Sequence, residues 1–534
     1  RPSHSLGMAL PEEIRVYQSD SSDAQQAETP VSALSDVHQG GLRAVSLYKV
    51  LSRGGALAGP RLRKEDHSCS QELAFLTFEF FISHNWQVNR WRKFLTLAIH
   101  FNMYRALVSC AIVGLICAGL VIAGVLPLFK IEAEVGGEMA TSYISIWCTI
   151  GSLVALLLCL TLSHDLLLCL GRHGPDVFLD KVCVDQFNDQ KKWEGIHALT
   201  SYIWHADELV VVLSEMYLDR IWTVFELISF LILKPYGKIS VLPVELATFV
   251  IVAACCQSFR ILGELLNSYF APVVHAENRT IVWIVGGSFF LLFGSCLMVP
   301  MRRWGRVRSQ LCKQMETFTF ASSSCQHQAD REEILTALVT LAIDYKIVGE
   351  FATTEEVCRV LETRAKEVIP QSMHDAISFG GLPARSLLII IMPLIASELD
   401  PIAAELSVGI QADQVLFHLL ESLLVAFSYP WFLALLGCMT CFPPRKWWFE
   451  ALILILGGLL MSGYLFAGRV IRNLHHVFQP SAAYLAVMSV LLALELVFFA
   501  CIFWPACIER LFSKRTPCSQ DASQQNSKKP KSKR

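Results

Sequence analysis

Charge is scarce in this sequence: Asp, Glu, Lys and Arg supply 17% of its 534 residues, against about 25% in ordinary soluble domains. The charge that exists nearly cancels, 45 basic residues against 47 acidic ones, so no overall basic field points to nucleic acid. Cysteine is too thinly spread for a secreted disulfide framework: 18 residues, many of them inside apolar runs. A phosphate-binding P-loop is also lacking. Gly136-Gly137 sits in a polar connection and Gly457-Gly458 in an apolar run, neither followed by Lys and a hydroxyl residue. Cys183 has no His or second Cys at ligand spacing, which excludes a zinc knuckle there. Residues 1–66 are polar, lack the pattern of a secretory signal, and are expected to be disordered.

Long apolar runs are what the chain has in abundance. A helix needs roughly 20 apolar residues to cross a bilayer. Ala106 to Phe129 meets this without one charge, and Tyr143 to Leu162 does so again across a short acidic connection, Lys130 to Met139. These two read as a hairpin at 106–163. Ser240 to Ser258, with Glu245 as a flaw, and Ile281 to Met301 read as a second hairpin at 240–301. Leu416 to Cys441, Trp448 to Ala467 and Ala483 to Trp504 follow within a C-terminal bundle at 386–505. Ser386 to Ala396 is short and holds Pro393, so it reads either as a crossing or as a buried helix. Basic clusters at Arg90–Lys93, Arg302–Arg308, Arg445-Lys446 and Arg510–Arg515 belong on the cytosolic side. Satisfying all four takes eight spans with both termini cytosolic, or seven if Ser386 to Ala396 does not cross. The stretch with Glu398, Asp400, Glu405 and Asp413 then faces outward, as does the glycosylation-type triplet Asn278-Arg-Thr280. The organelle is not specified.

Around the first hairpin lies a different pattern. Phe75 to Ser83 reads as a buried strand, followed by His84, Asn85, Trp86 and a basic amphipathic helix through Phe94 and Leu97. Beyond the hairpin, Asp176 to Asp180 is a short strand ending in an acid. A polar loop from Lys181 to Lys192 follows, then a helix from Trp193 to His205 and a strand from Glu208 to Ser214. Ile221 to Leu233 is helical and Lys238 to Val244 is a further strand. Strands alternating with helices imply a parallel α/β sheet. Because two crossings return the chain to its starting side, segments 72–105 and 174–245 can complete one cytosolic domain.

Phe81-Ile-Ser-His84, Val177-Phe-Leu-Asp180, Leu209 to Ser214 with Tyr217, and Trp222-Thr-Val-Phe-Glu226-Leu227 together resemble the TIR (Toll/interleukin receptor/resistance protein) family. The likeness covers roughly 90 positions, and its order and spacing are more specific than any single piece. Thr223 stands where that family's pattern has cysteine. The resemblance implies one of two activities: signalling by TIR–TIR self-association, or cleavage of the nicotinamide–ribose bond of NAD as substrate. In the second, Glu226 is the catalytic carboxylate. Ser83, His84, Trp86, Asp180 and Trp222 then line the NAD site, beside Asn85 and a flap from Lys181 to Gln186. The residues themselves leave plainer alternatives open. Glu226 reads equally as an exposed helix residue or a partner of Arg220, Trp222 as core, and His84 as a strand-end hydrogen bonder.

Segment 309–385 reads as a cytosolic helical region: Asp330 to Ile343 is amphipathic, and Thr353-Thr-Glu-Glu356 opens a second helix that Pro370 stops after Val368. Within the spans, His418, Glu421 and Glu495 form a candidate intramembrane polar site, either a proton or ion path or a set of interhelical hydrogen bonds. Arg260 with Glu264, and Cys438 with Cys441, are lesser polar or palmitoylation candidates. The tail at 513–534, with seven Lys/Arg and one Asp, is expected to be disordered and to lie on anionic lipid. The sequence therefore predicts an α-helical polytopic membrane protein of about eight spans carrying a cytosolic TIR-like α/β domain with a parallel sheet. Its expected partners are the lipid bilayer and like domains, not nucleic acid. Its expected role is signalling or scaffolding, with NAD cleavage as an added activity; the alternative is a transporter or channel with a TIR-like regulatory domain.

Overall fold

The chain is described by a computed structural model, covering residues 42–59, 64–72, 77–135, 138–256, 279–325, 328–377, 384–409, 412–439, 446–472, 486–494 and 497. Helix dominates, around one mixed six-stranded sheet and a separate two-stranded ribbon.

The sheet is built from strands far apart in the chain. They are β1 (Arg43–Ser46), β2 (Gln71–Glu72), β3 (Phe78–His84), β6 (Asp176–Phe178), β7 (Ala206–Leu213) and β8 (Lys238–Pro243). Their spatial order is β2-β1-β6-β3-β7-β8. The four central and right-hand strands run parallel, with Phe80 opposite Val177, His84 opposite Val212 and Val210 opposite Ser240. β1 pairs antiparallel with β6. Parallel strands covered on both faces read as unbroken apolar runs, and Leu209 to Leu213 is buried throughout. Phe81 stacks on Phe178 at 4.7 Å between ring centroids, and Phe178 meets Tyr202 at 4.2 Å.

Residues 42–59 correct the expectation of disorder across 1–66. β1 and helix α1 (Leu47–Gly55) belong to the core, and Leu47, Val50 and Leu51 are buried at i, i+3 and i+4 on one face.

The connection from β3 to β6 holds the long apolar hairpin. Helix α2 (Arg90–Ile122) begins under the sheet, where Phe94, Leu97 and Ala98 are buried, and runs on without a break. Its 33 residues span about 50 Å at 1.5 Å each, enough to pack on the sheet and still cross a bilayer. It ends at Ile122 and not at Phe129, because Gly124 turns left-handed (φ +72°) and Val125 N–H closes back on the Leu120 carbonyl. The expected loop at Lys130 to Met139 is an antiparallel ribbon, β4 (Phe129–Val135) with β5 (Glu138–Ile144). Helix α3 (Trp147–Cys169) returns alongside α2. Small residues set their approach: a Cβ on Gly114 would lie 2.7 Å from Ser152 Oγ, and one on Gly151 2.9 Å from Cys117 Sγ. Leu115, Ile116, Leu158, Leu162 and Leu166 stay exposed along the pair, an apolar surface of the kind lipid covers.

Beyond the hairpin, α4 (Asp180–Cys183), α5 (Asp189–His197) and α6 (Leu199–His205) lead to β7, and α7 (Ile221–Leu233) joins β7 to β8. The expected span over Ser240 to Ser258 divides into β8 and a shorter apolar helix, α8 (Val244–Cys256). Glu245 is no flaw in it: it accepts from Arg92 at 2.6 Å and from Arg303 at 2.9 Å, tying α2 to helix α9 (Arg279–Thr317). α9 carries the apolar run from Ile281 straight through the basic cluster at Arg302–Arg308. Arg302, 2% exposed, makes a two-pronged pair with Glu450 at 2.7 and 2.8 Å.

Helix α10 (Gln328–Asp344) packs on α7, and α11 (Thr354–Ile377) on α10. α11 does not stop at Val368: Pro370 lies inside it, since a proline costs one hydrogen bond and bends a helix that its neighbours can still hold. The short segment from Ser386 continues as α12 (Ala384–Ser397) and α13 (Leu399–Ser407), packed against α2 and α3. Helices α14 (Ala412–Met439) and α15 (Trp447–Arg472) complete the described bundle. Among the described residues, three helices are long and apolar enough to cross a membrane: Arg90–Ile122, Trp147–Cys169 and Ser386–Ser407.

The acidic stretch around Asp400 is partly buried against the hairpin. Asp400, 2% exposed, accepts from Ser145 Oγ at 2.5 Å, Cys148 N–H at 2.9 Å, Thr149 N–H at 2.8 Å and Thr149 Oγ at 2.7 Å. It caps α3 from more than two hundred residues away and locks the hairpin to the C-terminal bundle.

Candidate functional site

In the parallel block, β3 comes first in the chain, β6 lies to one side of it, and β7 and β8 to the other. The connections leaving the strand tops therefore part in opposite directions between β3 and β7. Such a switch point, at the carboxyl ends of the strands, is where open α/β sheets bind ligands.

Ser83 and His84 end β3 at this point. Neighbouring residues of a strand face opposite sides, and each of these two meets a separate group. On one side Ser83 Oγ donates to Glu226 Oε2 at 2.5 Å and lies 2.6 Å from the Tyr217 hydroxyl. Ser83 and Tyr217 are fully buried and Glu226 is 7% exposed. The expectation of Glu226 on an open helix face is corrected, and so is its pairing with Arg220, because the carboxyl turns inward to β3. Thr223, one turn before it, donates to the carbonyls of Tyr217 and Arg220 (3.0 Å for the latter) and fixes the start of α7. Ser324 closes the same end: its N–H donates to the Asp219 carbonyl, while its own carbonyl accepts from Ile221 N–H. Burial pushes the Glu226 carboxyl well above the usual carboxylate range, with the Asp180 charge adding to the shift and the Ser83 hydrogen bond opposing it. Burial, then Glu226, raises the Tyr217 phenol too.

On the other side His84, Asn85, Trp86, Asp180, Lys93 and Lys181 gather. Trp86 Nε1 donates to Asp180 Oδ2 at 2.6 Å, and His84 Nδ1 stands 3.8 Å from Asp180 Oδ1. Lys181 Nζ sits 4.5 Å over the Trp86 ring and donates to the Gly59 carbonyl. Burial, with the charges of Lys93 and Lys181, keeps the His84 imidazole well below its ordinary pKa, and burial also raises Asp180.

Of the residues expected to line a site, Ser83, His84, Trp86, Asp180 and Glu226 come together at the tops of β3 and β6. Trp222 does not join them: it is partly buried on α7, edge-on to Phe225 at 6.4 Å, and packs against the core. Lys93 is the residue that sequence reasoning missed. It lies on the same helical face as Leu97, and a lysine on that apolar face was the available signal. In the membrane half, Glu421 is fully buried on α14, His418 lies one turn before it, and Glu495 lies outside the described residues. So do Asn278, Arg260, Glu264, Cys441 and the tail. No group of three or more His, Cys, Asp or Glu among the described residues is arranged to hold a metal ion.

These features define a mostly helical protein with a parallel-containing mixed sheet, interrupted in sequence by helices long and apolar enough to cross a membrane. Compared with protein-family models, curated proteins and solved structures, the chain matches none.

Proposed function

We propose that this chain is a multi-pass membrane protein of eight spans, with both ends cytosolic. In this reading its TIR-like cytosolic domain signals by assembling with like domains and cleaves NAD at Glu226. The observation that carries the reading is the reach of Glu226 from α7 to Ser83 at the switch point of the sheet. The four sequence segments that suggested the family meet there as one structure.

Breaking the bond between nicotinamide and ribose builds positive charge on the sugar, and a fixed carboxylate beside it stabilises that charge. Burial, with the Asp180 charge adding to it, holds the Glu226 pKa well above the usual carboxylate range. The nicotinamide ring of NAD is itself a cation, so its arrival favours the ionised carboxyl, and Ser83 and Tyr217 hold that carboxyl in place. A hydrogen-bond donor stabilises the charged form, so Ser83 keeps the Glu226 pKa from rising further.

Two results follow for the full-length protein in lipid vesicles supplied with NAD. Wild type releases nicotinamide, with an acid limb of kcat/KM above the ordinary carboxylate range. Ser83→Ala moves that limb to higher pH, because the lost hydrogen bond had favoured ionisation. A limb unmoved by the substitution would separate Ser83 from the reaction, and an absence of nicotinamide release at any pH would leave assembly as the only activity.

A further inference from the structure

Three side chains on the face of β3 away from Glu226 carry donors that are unpaired or only weakly paired. Neither ring nitrogen of His84 nor Nδ2 of Asn85 has a hydrogen-bond partner among the described residues, although both residues are 5% exposed. Lys93, 1% exposed, reaches only the Asn85 carbonyl, at 3.4 Å. Ammonium bonds normally run about 2.7–2.9 Å. Lys181, also 1% exposed, adds a second positive charge close enough to act on both Lys93 and His84.

Asp180, the carboxylate whose charge acts on both Lys93 and Lys181, is already engaged. Asp180 is held by Trp86 Nε1, by the Lys181 N–H at 2.7 Å and beside His84, while Asp66 acts on Lys181 from the one-turn helix Lys64–His67. Buried unpaired donors are rare in native proteins, and here two buried ammonium groups share the charge of Asp180. One ligand answers both needs: an oxygen-rich anion accepting from Lys93, Asn85 and His84 together.

We propose that His84, Asn85 and Lys93, backed by the charge of Lys181, form a binding seat for a phosphate-sized oxyanion, roofed by Trp86. Several donors from different directions suit a tetrahedral anion, and lysine serves such anions as a point charge. Trp86, 36% exposed and tethered to Asp180, forms the outward wall of the seat. The seat lies on the opposite face of β3 from the Ser83–Glu226 pair and does not depend on NAD being the substrate.

The shared chemistry admits two sources, a soluble phosphate or a phosphorylated lipid headgroup, and the test separates them. Full-length protein in nanodiscs is titrated with inorganic phosphate and with ADP. It is also placed in nanodiscs with or without phosphatidylinositol 4-phosphate. Phosphorus NMR line broadening and the thermal midpoint are the readouts. We expect at least one source to bind and to raise the midpoint, and Lys93→Met to weaken that binding about tenfold or more. Lys93→Met removes a buried charge and so keeps its fold, its midpoint without phosphate being no lower than wild type. Glu226→Gln leaves phosphate binding intact, which keeps this outcome distinct from any failure of the NAD reading. If water alone fills the seat, no source shifts wild type, and the inference is overturned. Binding equal in wild type and Lys93→Met overturns it as well.

Discussion

Glu226→Gln is expected to lower NAD cleavage by roughly a thousandfold or more, while the protein remains folded. Glutamine keeps the size and one acceptor for the Ser83 hydroxyl, so the structural role survives and the developing positive charge loses its counter-charge. The same variant reports on stability with a sign fixed by burial. A carboxyl whose folded pKa lies above its unfolded value contributes stability that is complete at low pH and is lost as pH rises through the folded value. Wild type therefore loses stability from the ordinary carboxylate range upward. Glu226→Gln flattens most of that slope and is the more stable form at high pH. A smaller slope persists from Asp180, which burial also raises. Unfolding midpoints measured across pH for the two proteins check this, and parallel curves would mean that Glu226 is ionised in the resting state.

Asp400→Ala is expected to be the most damaging single change to the membrane half. It leaves two backbone N–H groups at the start of α3 and two hydroxyls without their acceptor, all in a buried setting. Each such orphan costs about 1–3 kcal/mol, and partial re-pairing brings the total to roughly 3 kcal/mol or more. Asp400→Asn keeps one acceptor oxygen but turns an amide against a donor, so its loss is smaller. The readout is unfolding of the detergent-purified protein. Because α3 continues into β6, the change should also loosen the split sheet and reduce Glu226-dependent turnover. An Asp400→Ala midpoint equal to wild type would show that the carboxylate is dispensable as a cap.

The strands of the sheet were legible because a parallel strand buried on both faces writes itself as an apolar run. Val210 to Leu213 and Phe80 to Ser83 are such runs. Their union across the hairpin followed from counting crossings. β1 and α1 were hidden because four strand residues and a nine-residue helix carry too little periodicity beside polar neighbours. Leu47, Val50 and Leu51 gain meaning only once the hairpin helices α2 and α3 lie beside them. Helix ends set by local chemistry, such as Gly124, were readable in principle; Pro370 misled because tertiary packing carries α11 past it. The roles of Asp400 and Lys93 were not legible for one reason: a charged residue's partner is chosen by the fold and is not visible from the residue's own neighbourhood. The inward turn of Glu226 belongs to the same class: spacing placed it on a helix, but only Ser83 shows which way it faces.

The account rests on a sheet that closes across a there-and-back passage through lipid. An epitope inserted between Val135 and Glu138, at the ribbon tip, and another at the exposed Tyr236 turn before β8 test this in sealed vesicles. Antibody binding before and after permeabilisation should put the two epitopes on opposite sides, with the Tyr236 epitope cytosolic. Both epitopes on one side would contradict it.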